Sequence, residues 1–177
     1  MKLVILDRDG TINHDSELHI KSPHEWRPIE GSLEAIARLS QAGYRVVVAT
    51  NQSGIARGLF DTSTLIAIHD KLQRAAVQAG GRIDGFFFCP HAADSACECR
   101  KPRPGMLKEI AQRFNQSLAD TYMVGDAQRD VEAAAAAGAR PVLVLTGKGR
   151  KTLEEGRLPP GTEVHPDLAA FARHLAP

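Results

Sequence analysis

The sequence predicts an α/β domain in which a central parallel sheet is covered by helices on both faces, three layers in all. Three observations predict it. Segments of strand character alternate with segments of helical periodicity along the chain. The strand segments are apolar throughout, as burial on both faces demands, instead of apolar at every second position. Several of these runs end abruptly in polar, chemistry-bearing residues, at the place where open α/β sheets build their sites.

The elements follow in order. Lys2–Asp7 reads as a buried strand. Leu33, Ile36, Ala37 and Leu39 share one face of a helix over Gly31–Gly43, and Gly43 suits the left-handed position that ends it. "YRVVVAT", residues 44–50, is a β-branched run and a second strand. Leu65, Ile68, Leu72, Ala75 and Ala79 keep helical spacing until Gly80-Gly81. Phe86–Cys89 is a short aromatic strand, and Pro104 suits the first turn of a helix carrying Leu107, Ile110, Ala111 and Phe114. Tyr122–Val124 is a strand, Asp130–Ala137 an alanine-rich helix stopped by Gly138, and Pro141–Leu145 a fifth strand. After Thr146 the chain is polar and rich in Gly and Pro until a short helix near Leu168–Leu175. With no repeat or low-complexity tract, residues 1–177 are expected to form one domain.

Composition excludes some functions. The formal net charge is +1, so no strong field draws the chain to nucleic acid or to a membrane surface. No apolar run approaches the roughly 18 residues of a membrane span. A strand beginning at Lys2 leaves no room for a signal peptide, and a cytoplasmic location is expected. The three cysteines crowd between Cys89 and Cys99, which argues for a metal site in a reducing compartment and against a disulfide framework.

The chemistry gathers at the strand ends. In "VILDRDGTI", residues 4–12, an apolar run meets two carboxylates, Asp7 and Asp9. Thr50 and Asn51 follow the second strand and Asp126 the fourth, while Lys101 precedes the helix leading to that fourth strand. Converging like charges are costly without a cation. A hard ion such as Mg²⁺, which takes carboxylates, phosphate and water, answers that need, and Lys101 adds a second positive charge. Asp130 either orients a ligand or water or favours a helix N-terminus. Such a pocket suits a phosphoryl group, whose transfer needs positioning and charge neutralisation. One carboxylate of an Asp-x-Asp pair can attack phosphorus and form an acyl phosphate. The other, projecting from the same side of the chain, can protonate the leaving oxygen and later take a proton from water.

Cys89-x-His91 and Cys97-x-Cys99 supply the donors of a closed structural Zn²⁺ site in a loop at 89–99. Four protein ligands leave no open position for catalysis. Asp94 and Glu98, with no basic excess in the chain, disfavour a nucleic-acid zinc module. The loop runs into Arg100-Lys101, so zinc is expected to pin it and aim both residues at the substrate.

Asp7-Arg8-Asp9-Gly10-Thr11, Thr50-Asn51, Lys101-Pro102 and Gly125-Asp126-x-x-x-Asp130 resemble, in order, the four motifs of the haloacid dehalogenase (HAD) superfamily of phosphatases, over residues 3 to about 147. The resemblance implies that superfamily's Rossmann-like core, Asp7 as nucleophile, Asp9 as general acid/base, and Thr50 and Lys101 on the phosphoryl oxygens. It implies Mg²⁺ held by Asp7, Asp126 and the backbone carbonyl of Asp9. The spacing between motifs leaves no room for a large cap domain. "TNQSGIARG", the Cys-His-Cys-Cys loop, "CRKPRPGM" and "YMVGD" resemble the heptose 1,7-bisphosphate 7-phosphatases, and the related histidinol-phosphate phosphatases share most of these blocks.

This narrower resemblance implies a small sugar bisphosphate as substrate, cleaved at C7 in bacterial supply of nucleotide-activated heptose. It puts Asp15, Ser16, Glu17, Leu18, Thr50, Asn51, Gln52, Ser53, Arg100 and Lys101 near that substrate, with Arg57 a weaker candidate. A monomer is expected. The chain departs from the pattern in "NHDSELHI", where these enzymes often carry Gly-Tyr near Ser16-Glu17, in a short zinc loop, and in Ala127, where a polar residue is common. A phospho-receiver module also uses strand-end aspartates with a Thr and a Lys, but a lasting acyl phosphate needs no acid/base at Asp9. His14, His19 and His24 read as exposed loop residues and Trp26 as a packing anchor. Lys148, Arg150 and Lys151 read as a solvated cluster with Lys148 nearest the site mouth.

Overall fold

Residues 2–177 are described in a computed structural model. The strands are β1 (Lys2–Leu6), β2 (Tyr44–Asn51), β3 (Gly85–Cys89), β4 (Tyr122–Gly125), β5 (Arg140–Val144) and β6 (Glu163–His165). The helices are α1 (Ser32–Gln41), α2 (Thr62–Gln78), α3 (Gly105–Phe114), α4 (Gln128–Ala137), α5 (Gly149–Glu154) and α6 (Leu168–Leu175). All six strands run parallel in the order β3-β2-β1-β4-β5-β6. The order reverses between β1 and β4, which opens a crevice at their carboxyl ends. The register places the two strand ends side by side: Leu6 faces Val124, and the Asp7 N–H donates to the Val124 carbonyl at 2.8 Å.

The three expected layers are present. Val4, Leu6, Val46, Val48 and Val142 pack with Ile36 and Leu39 of α1, Ile68 and Leu72 of α2, and Phe171 of α6. Leu3, Ile5, Val47, Ala49 and Met123 turn the other way, onto Leu107 and Ile110 of α3 and Ala133 and Ala134 of α4. Each buried aliphatic side chain contributes about 1.5–3 kcal/mol, so a continuous core on both faces holds the strand ends rigidly. Trp26 is a packing anchor as expected: it is buried and Lys71 Nζ lies 5.6 Å above its ring.

Two elements exceed the five-strand expectation. The strand β6 is three residues of mixed polarity in a Gly/Pro-rich tail, and its place is set by pairing with β5, not by a local pattern. The helix α5 contains Arg150 and Lys151, so it reads locally as a charge cluster, yet its own Gly149 and Thr152 are buried. Thr152 Oγ1 donates to the Asp126 carbonyl at 3.0 Å, which ties this short helix to the β4 end.

Candidate active site

Asp7, Asp126 and Asp130 meet at the crevice, each buried and each offering a carboxylate oxygen within 4.8 Å of the others. Lys101 is buried among them. Its Nζ donates to Asp7 Oδ1 at 2.8 Å and to the Ala49 carbonyl at 2.7 Å, and pairs with Asp130 Oδ1 at 2.8 Å. The Asn51 amide clamps the lysine's own backbone: Nδ2 donates to the Lys101 carbonyl at 3.0 Å, and the Lys101 N–H donates to Oδ1 at 3.1 Å. Asp130 Oδ2 accepts the Ala127 N–H at 3.0 Å, so this residue serves the helix start as well as the lysine. Two glycines make room for Asp126. Gly10 (φ +85°) and Gly147 (φ +54°) adopt left-handed backbone, and a Cβ on them would lie 2.1 and 2.2 Å from Asp126 Oδ2.

Three carboxylates outnumber one ammonium. Burial, then the Asp130 charge, push the Asp7 carboxyl up to about 6 against the opposing pull of Lys101. Burial, then the charges of Asp7 and Asp130, push Asp126 up to about 8. Asp7 Oδ2 and Asp126 Oδ1 are buried without any hydrogen-bond partner. Buried acceptors of this kind require a donor or a cation. The all-oxygen donor set of Asp7, Asp126 and Asp130 fits a hard cation such as Mg²⁺.

Asp9 is held by four donors. Arg8 Nε and Nη2 reach its two oxygens at 2.8 and 3.1 Å, Asn13 Nδ2 reaches Oδ1 at 2.9 Å, and Gln52 Nε2 reaches Oδ2 at 3.1 Å. Burial works to raise this carboxyl, but the Arg8 charge and these hydrogen bonds hold it below the usual range. Gln52 also donates to Thr50 Oγ1 at 2.9 Å, linking the Asp9 carboxylate to the Thr50 hydroxyl. The wholly buried Arg8 directs Nη1 to His69 Nε2 at 3.2 Å, so that nitrogen acts as acceptor and the ring is neutral. Burial and the Arg8 charge push the His69 pKa down to about 3, and the ring stacks on Phe86 at 4.6 Å. Sequence reasoning missed Arg8 and His69; a cation wedged between Asp7 and Asp9 was the available signal for the first.

A cleft of about 240 Å³ opens above the cluster. Asp9, Asp15, Ser16, Glu17, Asn51, Gln52, Ser53 and Arg100 border it, while Thr50 and Lys101 lie buried. Leu18 is not brought to it: the side chain is 74% exposed, because the Ser16 hydroxyl accepts the Leu18 N–H at 3.1 Å and turns the loop outward. His19 borders the cleft, as does Lys148, which pairs with Asp15 at 3.6 Å. Arg129, unmarked by sequence reasoning, borders it too. A larger open depression of about 740 Å³ between α1, α6 and the C-terminus contains none of these residues.

The cysteine loop lies beside this cleft. Cys89, His91, Cys97 and Cys99 converge, with Cys89 Sγ 3.7 Å from Cys97 Sγ and 3.4 Å from His91 Nδ1, and Cys99 Sγ 3.3 Å from the same nitrogen. Tetrahedral Zn–S bonds of about 2.3 Å imply S···S edges of about 3.8 Å, so the spacing suits zinc. Cys99 Sγ sits nearer, 2.9 Å from Cys89. Burial and the neighbouring sulfurs push the Cys99 thiol up to about 12. At Cys97 burial acts upward, but hydrogen bonds from Ser95 and the Arg100 N–H prevail and bring it down to about 6. The donor set, three sulfurs and one imidazole, is that of a closed zinc centre. Arg103 braces the loop through the Ser95 carbonyl at 2.9 Å and the Cys97 carbonyl.

Residues 98–171 match the HAD-hydrolase-like family. The chain is 60% identical over 175 residues to the D-glycero-beta-D-manno-heptose-1,7-bisphosphate 7-phosphatase of Bordetella bronchiseptica, covering 99% of this chain and 98% of that protein. It is 54% identical to the enzyme of the same name from Pseudomonas putida, covering 99% of each. The crystal structure of D,D-heptose 1,7-bisphosphate phosphatase from B. bronchiseptica, complexed with magnesium and phosphate, superposes with a TM-score of 0.97 at 60% identity, over 99% of this chain and 98% of that one. The chain therefore belongs to the D-glycero-beta-D-manno-heptose-1,7-bisphosphate 7-phosphatase family of HAD hydrolases.

Proposed function

We propose that this chain is a Mg²⁺-dependent phosphatase that removes the C7 phosphate of D-glycero-β-D-manno-heptose 1,7-bisphosphate, in the bacterial route to nucleotide-activated heptose. The observation that carries the reading is Asp7: a buried carboxylate with one oxygen tethered to Lys101 and the other unpaired, at the floor of a cleft in a chain of this family. The substrate and its β anomer rest on the names of the relatives. The 177 residues act as one domain and as a monomer, in the cytoplasm. Among the described residues no helix is long and apolar enough to cross a membrane.

Bound by Asp7, Asp126 and the Asp9 carbonyl, Mg²⁺ supplies positive charge against the phosphoryl oxygens. An Asp7 oxygen attacks phosphorus; the new O–P bond forms as the bond from phosphorus to the C7 oxygen breaks. The electron pair leaves with that oxygen, which takes a proton from Asp9. Water then attacks the aspartyl phosphate, the Asp7 O–P bond breaks, and Asp9 receives the water's proton. Lys101 and Thr50 hold phosphoryl oxygens throughout, Lys101 aimed by the Asn51 clamp and Thr50 by Gln52. The donors around Asp9 keep it ionised in the free protein, which suits the base step. A phosphate dianion beside it raises its proton affinity for the acid step.

Phosphate release with Mg²⁺ across α- and β-heptose 1,7-bisphosphate, histidinol phosphate and fructose 1,6-bisphosphate tests this. The expected result is the highest kcat/KM on the β-heptose bisphosphate, with ³¹P NMR showing the C1 phosphate retained. Preference for histidinol phosphate would overturn the substrate and leave the chemistry standing.

A further inference from the structure

We propose that Arg129 is a second cationic arm on the phosphoryl group that Asp7 receives, acting beside Lys101. This rests on the phosphatase reading above and goes beyond the motif residues to which that reading assigns roles. Arg129 follows Asp126 by three positions and precedes Asp130, at the start of α4. It borders the cleft. Its Nε–H is buried with no hydrogen-bond partner. Among the described residues the ion pairs of the site pass it by: Lys101 takes Asp7 and Asp130, and Lys148 takes Asp15. A guanidinium has five donors in a planar fork suited to phosphate oxygens, and one left unpaired in a part-buried cleft requires an anion.

Three considerations fix which anion. Arg129 borders the cleft and lies one residue before Asp130 and three after Asp126, on the segment that carries two of the clustered carboxylates. Arg100 and Lys148 also border the cleft but already have partners, the His91 carbonyl at 3.3 Å and Asp15. The charge count points the same way. The negative charges of Asp7, Asp126 and Asp130 are cancelled by Lys101 together with one dication, so a phosphate dianion would otherwise meet a neutral floor. Arg129 makes that floor positive. It also supplies polar reach at a turn where Ala127 offers none.

The test compares Arg129→Met and Arg129→Lys with the unaltered protein on two substrates, β-heptose 1,7-bisphosphate and p-nitrophenyl phosphate, with orthovanadate inhibition as a non-turnover readout. For Arg129→Met the expected result is a fall in kcat/KM of roughly a hundredfold on both substrates, as for loss of one transition-state donor. Vanadate inhibition weakens by a similar factor, and Arg129→Lys recovers part of each. An unchanged kcat/KM on p-nitrophenyl phosphate overturns the proposal. That includes a loss confined to the bisphosphate, which would place the residue on the other phosphate. Circular dichroism melts identify a misfolded variant, in which case Arg129→Lys with vanadate decides: undiminished inhibition and turnover overturn the proposal, and a partial loss of both upholds it. If the unaltered protein hydrolyses p-nitrophenyl phosphate and not the heptose bisphosphate, the substrate assignment fails while the Arg129 result still stands.

Discussion

The carboxylate cluster and the cysteine cluster pose the same electrostatic problem and resolve it differently. Each gathers groups that repel one another when ionised. At the strand ends the repulsion is buried, an internal ammonium offsets part of it, and two carboxylate oxygens stay unpaired. In the loop three of the four groups lie nearer the surface, one guanidinium, Arg103, reaches Cys97 Sγ at 3.8 Å from the side, and all four donors face one another. The first arrangement is an open coordination sphere for a hard ion with space for a ligand, and the second is a closed one for a soft ion. Chemistry belongs to the first and geometry to the second: the loop's last cysteine is followed directly by Arg100 and Lys101, so a fixed loop fixes both.

Asp7→Asn separates the two clusters most sharply. It removes the proposed nucleophile while keeping the side chain's volume, so turnover is expected to fall by roughly a thousandfold or more. Zinc content, measured by elemental analysis, stays at the wild-type level. Wild-type turnover in this variant would remove Asp7 from the mechanism. Cys97→Ala probes the other side. Zinc content is expected to drop, and kcat/KM on the bisphosphate to fall by about ten- to a hundredfold, the scale seen when groups supporting a site are lost. Mg²⁺ dependence survives. A zinc-free protein with full activity would cut the link between loop and cleft.

Gly147→Ala tests the open cluster without touching a ligand. The added Cβ meets Asp126 Oδ2 and the Gly10 backbone, in a conformation with φ +54° that disfavours any side chain. The Mg²⁺ concentration for half-maximal activity is expected to rise about tenfold, with zinc content unchanged. An unaltered Mg²⁺ requirement would mean that the glycine cradle does not set the Asp126 position.

What the sequence showed of these clusters depended on how local their causes are. The strand-end aspartates, Lys101 and the four zinc donors lie in short contiguous stretches, each bounded by an apolar run or a tight spacing, and the sequence reading marked each of them. Asp130 was read with two alternative roles; the structure shows its carboxylate at the helix start and adds an unforeseen partner in Lys101. Asn51 and Gln52 were marked for substrate; their amides also brace Lys101 and Asp9, contacts between distant segments that no local pattern encodes. His69 was invisible because it is one position on an amphipathic helix whose meaning comes from Arg8, 61 residues away. The strand β6 was missed for the same reason, since pairing with β5 defines it. Arg129 did have a local signal, a cation between two motif aspartates, which the motif itself obscured.

The smallest expected effect concerns protons, and its sign separates the open cluster from the rest of the fold. Folding raises the Asp7 and Asp126 carboxyls from 3.8 to about 6 and about 8. The metal-free native state therefore binds more protons than the unfolded chain between about pH 4 and pH 8, and its stability falls as pH rises through that window. His69 acts oppositely. Its pKa is depressed from 6.5 to about 3 in the folded protein, so its contribution is present above 6.5 and is lost as pH falls toward 3. The two effects overlap, and a melting curve at one metal concentration mixes them. The difference in Tm with and without Mg²⁺ removes the His69 part, because that residue contacts Arg8 and no carboxylate of the cluster. Mg²⁺ competes with protons only at the carboxylates, so its stabilisation is expected to grow by a few degrees in Tm from pH 5 to pH 8.5. Calorimetry in buffers of different ionisation enthalpy then detects proton release on Mg²⁺ binding at pH 7. A Mg²⁺ stabilisation that stays flat or shrinks with pH would mean that the carboxylates are already ionised in the metal-free protein, compensated by Lys101 and Arg129 alone.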